Sequence, residues 1–226
     1  MSEVTFRSDV TVELVDSMGD EQSIVRAARV STLGKKAAKK EAEGLIRFLM
    51  REGHSSPFES VVLTFRIEAP IFVTRQIIRH RIASVNEESG RYRELEPVFY
   101  LPGGDRPVEQ VGKTGDYAFV DNAPLNRLAR RVLKYTSRVA WWGYSTLIKA
   151  GVSKEVARMC LPVSLYSSMV VTMNLRSWLN FIYLRTQRYG SHAQEEVSYV
   201  AEQVRDVLAE KFPTVLDQFE KKQRIV

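Results

Sequence analysis

Residues 60–92 read SVVLTFRIEAPIFVTRQIIRHRIASVNEESGRY. The run over 60–68 is rich in β-branched residues and predicts a strand. Pro70 suits the first turn of a helix, so 71–81 is expected to be helical. The polar stretch 82–91, with Gly90, then predicts a loop. Strand, helix and loop following so closely indicate a mixed fold, and the flanks agree. DVTVELV at 9–15 alternates as a strand, 20–30 reads as a short helix, and KAAKKEAEGLIRFLMREG at 36–53 reads as a helix stopping at Gly53. A further strand is expected over 93–101, and the Pro- and Gly-rich 102–116 predicts a mobile surface loop. A long helix or a helical pair is expected over 124–150, ending at Gly151, and further helices over 153–160 with Ser153 as N-cap, over 175–188, and over 191–211 with Ser191 and Gln194 as a capping box. Residues 165–173 predict another strand. The fold class is α/β in the mixed, α+β sense, and no segment reads as a linker, so 1–226 is expected to be a single domain.

Composition narrows the function. With 44% hydrophobic and 27% charged residues the chain can bury a core, which excludes a disordered protein. The single cysteine, Cys160, excludes a disulfide framework and a cysteine-built zinc site, and no metal site is expected. No apolar run reaches bilayer length and MSEVTF carries no secretory pattern, so the expected location is cytoplasmic. Lys and Arg number 33 against 27 Asp and Glu, a net charge of +6. That balance suits nucleic acid, acidic lipid or a phosphorylated metabolite, or simply keeps the chain in solution.

The arginines decide between these. Arg75, Arg79, His80 and Arg81 crowd together, and Arg91 and Arg93 follow. On a helix Arg75 and Arg79 would share one face, and Gln76 and His80 the next. Ile71, Phe72, Val73, Ile77 and Ile78 indicate that much of this segment is buried, and cations lining a cleft need an anion. In the loop beyond, Ser89 can donate, Gly90 lets backbone N–H groups approach, and Arg91 can fork onto phosphate, while Glu87 or Glu88 can accept from a ribose hydroxyl or ring N–H.

The string RHRIASVNEESGRY at 79–92 resembles the signature of the flavin-dependent thymidylate synthases: Arg-His-Arg, seven residues, then Ser. RAARVS at 26–31, GHSSPFE at 53–59, APIFVTRQ at 69–76, EVARMCLP at 155–162, NLRSWLNFIYLR at 174–185 and SHAQ at 191–194 are similar to the same family, in its order. The resemblance implies an α/β fold of the family's own kind, a central sheet flanked by long helices, in a homotetramer with active sites at subunit interfaces. It implies synthesis of dTMP from dUMP, with methylenetetrahydrofolate as carbon donor, NADPH as reductant and FAD as cofactor, and no nucleic-acid or membrane partner.

By position, the resemblance makes Arg79, His80 and Arg81 FAD contacts, with Arg79 also near the nucleotide. It adds His54 and Ser56 at the flavin, and Asn174, Arg176 and Asn180 as FAD contacts from a neighbouring subunit. Gln76, Ser89, Gly90, Arg91 and Arg158 become dUMP contacts, the last four around its phosphate, with Glu87 at the border of both ligands. Arg185 binds the uracil and favours its ionised form.

Other thymidylate synthases attack the uracil with a cysteine thiolate. Cys160, within Met159-Cys160-Leu161-Pro162, reads instead as a buried small hydrophobe, and Ser89 has no histidine nearby to act as base. The expectation is a route without an enzyme nucleophile, in which Arg185 stabilises charge developing on the ring. Thr186–Ser191 is longer than the family's usual link between Arg185 and His192, and Phe48 stands where a tyrosine is frequent. Trp141, Trp142 and Tyr144 read as helix packing, and Trp178 as core or interface. A nucleic-acid module would spread its cations over an exposed face, and a nucleotide hydrolase would show a phosphate-binding GxxxxGK[ST] string, which is missing.

Overall fold

A computed structural model describes residues 3–30, 39–113 and 115–222. The strands are β1 (Thr5–Arg7), β2 (Thr11–Met18), β3 (Val62–Pro70), β4 (Ser84–Glu87), β5 (Val98–Tyr100), β6 (Glu109–Lys113), β7 (Asp116–Val120) and β8 (Tyr166–Asn174). The helices are α1 (Glu21–Arg29), α2 (Lys39–Glu52), α3 (Ile71–Ile77), α4 (Ala123–Lys149), α5 (Lys154–Ala157), α6 (Leu175–Arg185), α7 (Glu195–Lys211) and α8 (Pro213–Lys222). Helix and sheet are mixed, as the patterning predicts. The chain forms two compact units: one from Met1–Asp9, Pro70–Phe72 and Glu88–Ser167, the other from Val10–Ala69, Val73–Glu87 and Ser168–Val226.

The second unit holds a four-stranded sheet in the order β2-β3-β8-β4. β2 pairs antiparallel with β3, and β4 antiparallel with β8 from Ser84↔Thr172 to Glu87↔Met169. The hydroxyls of Thr64 and Thr172 meet at 2.9 Å between β3 and β8. β2 is an edge strand, with backbone groups that would otherwise be open to another chain. Gln203 of α7 covers part of that edge: its Oε1 accepts from Val12 N (3.0 Å) and its Nε2 donates to Val10 O (2.9 Å). Under the sheet lies Trp178 of α6, fully buried and edge-on to Phe65 (4.9 Å) and Phe181 (5.6 Å). Its indole N–H donates to Leu63 O at 3.1 Å, so the ring is buried without an orphaned polar atom. Helix α1 opens on a capping box in which Asp20 accepts from Ser23 N and Ser23 Oγ accepts from Asp20 N, worth about 1 kcal/mol.

The first unit holds the parallel pair β1/β5 and the hairpin β6/β7. Its core gathers Phe99, Trp141, Tyr144, Ala157 and Leu165. Asn122 caps α4, its Oδ1 accepting from Leu125 N at 3.0 Å, with Pro124 in the first turn where no N–H is missed. Gly151, at φ +85°, ends that helix in the left-handed conformation glycine adopts without strain.

Several sequence expectations need correction. Pro70 ends β3 rather than opening a helix, and α3 stops at Ile77 rather than running to 81. Arg79 therefore does not share a helix face with Arg75. The loop expected over 82–91 contains β4, and the loop over 102–116 contains β6 and the start of β7. Ser153 makes no capping hydrogen bond, and the helix after it is only Lys154–Ala157 followed by a 3₁₀ turn at Arg158–Cys160. Ser191 does not cap α7: its Oγ donates to Leu184 O (2.8 Å), the helix starts at Glu195, and Gln194 makes no side-chain cap bond. Cys160 is exposed, not buried, and its thiol donates to Ala157 O at 3.2 Å. Trp142 is exposed, whereas Trp141 and Tyr144 are packed. Ser31 of the RAARVS segment and residues 36–38 of the expected second helix lie outside the described residues.

Candidate active site

The Arg-His-Arg stretch leaves the end of α3 through consecutive turns. His80 N donates to Ile77 O and Ala83 N to His80 O, both at 3.0 Å. On a helix, three consecutive residues fan out by about 100° each and could not all face one cavity. In the turns they do: Arg79, His80 and Arg81 line a cavity of about 900 Å³ together with Asn174, Arg176, Ser177, Asn180, Tyr183 and Arg185. That volume lies at the upper end for small-molecule sites.

Helix α6 supplies the facing wall. Arg176 and Asn180 are one turn apart on it, as the spacing predicts, and Tyr183 and Leu184 continue the same face. Asn174 is the N-cap: its Oδ1 accepts from Ser177 N at 2.8 Å, so its amide nitrogen is what it can offer a ligand. Arg176 donates to Glu59 Oε1 at 2.6 Å. Glu59, Ser177 and Tyr183 escape the residue-by-residue reading. The four-residue periodicity running on from Arg176, and a carboxylate in GHSSPFE able to pair with Arg176, are the signals that point to them.

Arg185 ends α6. Its Nε donates to His80 Nε2 (3.1 Å) and its Nη1 to Gln76 Oε1 (3.2 Å). Burial, and then the nearby Arg79 cation, pull its guanidinium below the ordinary arginine pKa. His80 packs edge-on against Phe181 at 4.9 Å. Burial, and then the Arg185 cation, push His80 down from 6.5 to about 4. Its role as acceptor agrees, since an imidazolium has no lone pair to offer. Between pH 6.5 and 4 the unfolded chain takes up a proton at this histidine that the native chain refuses. Stability therefore falls through that window as pH drops, with no further loss from this group below it. A proton NMR titration assigned with a His80 variant is expected to give a midpoint near 4 rather than 6.5.

The remaining expected site residues fall elsewhere. His54 is exposed and edge-on to Phe48 at 5.9 Å, and Ser56 opens the 3₁₀ turn Ser56–Ser60; neither is among the cavity's lining residues. Glu87, on β4, accepts from Thr74 Oγ1 at 3.3 Å. In the first unit the structure brings Ser89, Gly90, Arg91 and Arg158 together. Ser89 O accepts from Tyr92 N (3.1 Å) and Ser89 Oγ from Arg91 N (3.3 Å), making a compact turn. A Cβ on Gly90 would stand 2.9 Å from Leu95 Cδ1 and 3.3 Å from Arg158 Cδ, so a larger residue there would have to displace the Leu95 side chain. Arg91 lies 3.4 Å from Glu155. His192 precedes α7 rather than lying in its first turn.

The donor set of the cavity, four guanidinium groups with two asparagines, fits a phosphate-bearing ligand with a polar heterocycle, and so fits FAD. The profile of the family described as thymidylate synthase complementing protein matches residues 13–214. The chain is 46% identical to a flavin-dependent thymidylate synthase of Streptomyces avermitilis over 98% of this chain and 95% of that one. It is 44% identical to the enzyme of that name from Tropheryma whipplei, over 97% and 96%. Its structure superposes on PolB of Streptomyces cacaoi, a UMP/dUMP methylase bound with 5-Br UMP, with TM-score 0.91, 42% identity and 98% of each chain covered. No helix among the described residues is long and apolar enough to cross a membrane. Signature, cavity, profile and full-length identity converge: this chain belongs to the flavin-dependent thymidylate synthase family.

Proposed function

We propose that this enzyme converts dUMP to dTMP, taking its carbon from methylenetetrahydrofolate and its reducing equivalents from NADPH, with FAD as cofactor. The observation that carries the reading is Arg185: a partly buried cation, beside the Arg79 cation, oriented into a cavity lined by arginines and asparagines. Two neighbouring guanidinium groups favour binding an anion. Family names support the flavin, and the superposition on PolB with 5-Br dUMP (TM-score 0.90) supports a uracil nucleotide.

Arg79, His80, Arg81, Asn174, Arg176 and Asn180 would hold the FAD, with His54, Ser56 and Glu87 as further contacts. Once bound, the flavin supplies hydride transfer, which no side chain here can perform. Gln76, Arg79 and Glu87 would contact dUMP, and Ser89, Gly90, Arg91 and Arg158 its phosphate. Arg185 would sit at the uracil and stabilise negative charge on it, so the ring itself becomes the nucleophile. Cys160 is not among the residues that line the cavity, and this supports a route without a cysteine nucleophile.

The test is direct. The purified protein is expected to carry flavin absorbance that NADPH bleaches, and to form dTMP from dUMP and methylenetetrahydrofolate, with UMP as the comparison substrate. A colourless protein that forms no dTMP would overturn the reading.

Self-association as a homotetramer belongs to the same proposal, and α4 supports it. Leu125, Leu128, Val132, Tyr135, Val139 and Trp142 are all at least 37% exposed and follow at alternating spacings of three and four. That is the seam spacing of helices that pack on one another. A second copy of this chain is the occupant we propose. Tyr135→Glu combined with Val139→Glu is expected to shift the particle to a smaller mass by light scattering, with the helical circular dichroism retained.

A further inference from the structure

We propose that His80 and Gln76 serve as positioning residues for Arg185, a pair of neutral acceptors that aim its guanidinium without cancelling its charge. The inference rests on the dUMP reaction proposed above and deepens it, because both residues would then act through Arg185 and not only by touching a ligand.

A guanidinium has five N–H donors on a rigid plane. Two are spent inside the chain, Nε on His80 and Nη1 on Gln76, which fixes the plane and leaves three for the nucleotide. The acceptors are themselves held. Gln76 lies in the last turn of α3, and His80 is pinned by backbone hydrogen bonds on both sides. The imidazole also lies edge-on to Phe181, fully buried and one turn before Arg185 on α6. The ring thus touches two successive turns of one helix and cannot rotate without losing either the aromatic contact or the hydrogen bond.

The chemical identity of the acceptors matters more than their number. Arg176, on the same cavity, is paired with the carboxylate of Glu59, so its charge is largely answered before any ligand arrives. Arg185 is oriented by an imidazole and an amide, neither of which carries negative charge. Its full cation remains available to a uracil anion. A free arginine side chain would lose rotamer entropy on becoming ordered at the substrate. Here that ordering is complete beforehand. For His80 to accept at Nε2 its proton must sit on Nδ1, which assigns the tautomer.

The test uses the full-length flavin-loaded enzyme with three variants and two readouts. His80→Leu removes the acceptor, His80→Gln returns one at the reach of Nε2, and Gln76→Glu keeps the shape while adding a charge. In His80→Leu, assayed at saturating FAD, kcat for dTMP is expected to fall about 100-fold, with KM for dUMP within about threefold. His80→Gln is expected to recover most of that loss. Gln76→Glu is expected to lower kcat by about tenfold or more, because its carboxylate answers the Arg185 charge. The second readout is independent of turnover. 5-Bromo-dUMP changes its ultraviolet spectrum on ionising, and its bound form is expected to need a higher pH to ionise in His80→Leu and Gln76→Glu than in the parent. Unchanged kcat and spectra in either variant would overturn the proposal. So would flavin lost equally from His80→Leu and His80→Gln, which would make His80 a cofactor contact alone. Failure of the parent enzyme to make dTMP would instead count against the function itself.

Discussion

Arg185→Ala is expected to lower dTMP formation by about 10²–10³-fold, the scale seen when one charge-stabilising donor is removed from a reacting centre. Fold stability should change little, since Arg185 is only partly buried and its partners His80 and Gln76 are neutral, so no charge is left stranded. Arg185→Lys is expected to recover little. An ammonium keeps the charge but has no planar fork to reach His80 and Gln76 at 3.1 and 3.2 Å while still facing a substrate. Rapid-quench measurement of dTMP, with dUMP binding followed separately, checks both. A lysine variant with near-parent kcat would show that charge alone is sufficient at this position.

Trp178→Ala is expected to cost about 3–5 kcal/mol of folding free energy, the range for deleting a large buried aromatic. Trp178 has no exposed surface, packs edge-on against Phe65 and Phe181, and satisfies Leu63 O. Its removal opens a void beneath β3 and takes the indole donor away from that carbonyl. Urea denaturation should show a lower midpoint at similar slope. Trp178→Phe, which loses the N–H but keeps a ring, should cost less. Because Phe181 also supports His80, the alanine variant should in addition lower kcat in the protein that remains folded.

The parts of the site that the sequence made legible are those carried by real helical periodicity. Arg176 and Asn180 are four apart on α6, and both line the cavity. The same spacing misled for Arg75 and Arg79, because α3 ends at Ile77. Nothing in the local residues signals that end. What rewards it is the contact His80 makes with Phe181 and Arg185 of α6, about a hundred residues away. β4 was invisible for a related reason. All four of its residues are exposed, so no alternation marks it, and it exists only through its pairing with β8. At β6/β7, glycines that read as loop make a hairpin instead: Gly112 takes φ +102°, and a Cβ there would stand 2.4 Å from Asp116 O.

By itself the sequence determined the mixed helix and sheet class, the helical stop at Gly151 and the family, because these depend on composition, local periodicity and motif order. Only the tertiary structure decided that Gln76 and His80 meet Arg185, that Cys160 is exposed, and that α4 turns an apolar seam outward. A residue's partners across the fold depend on where helices stop and which strands pair. Those outcomes are settled by burial and hydrogen-bond satisfaction over long sequence separations, which no local window contains.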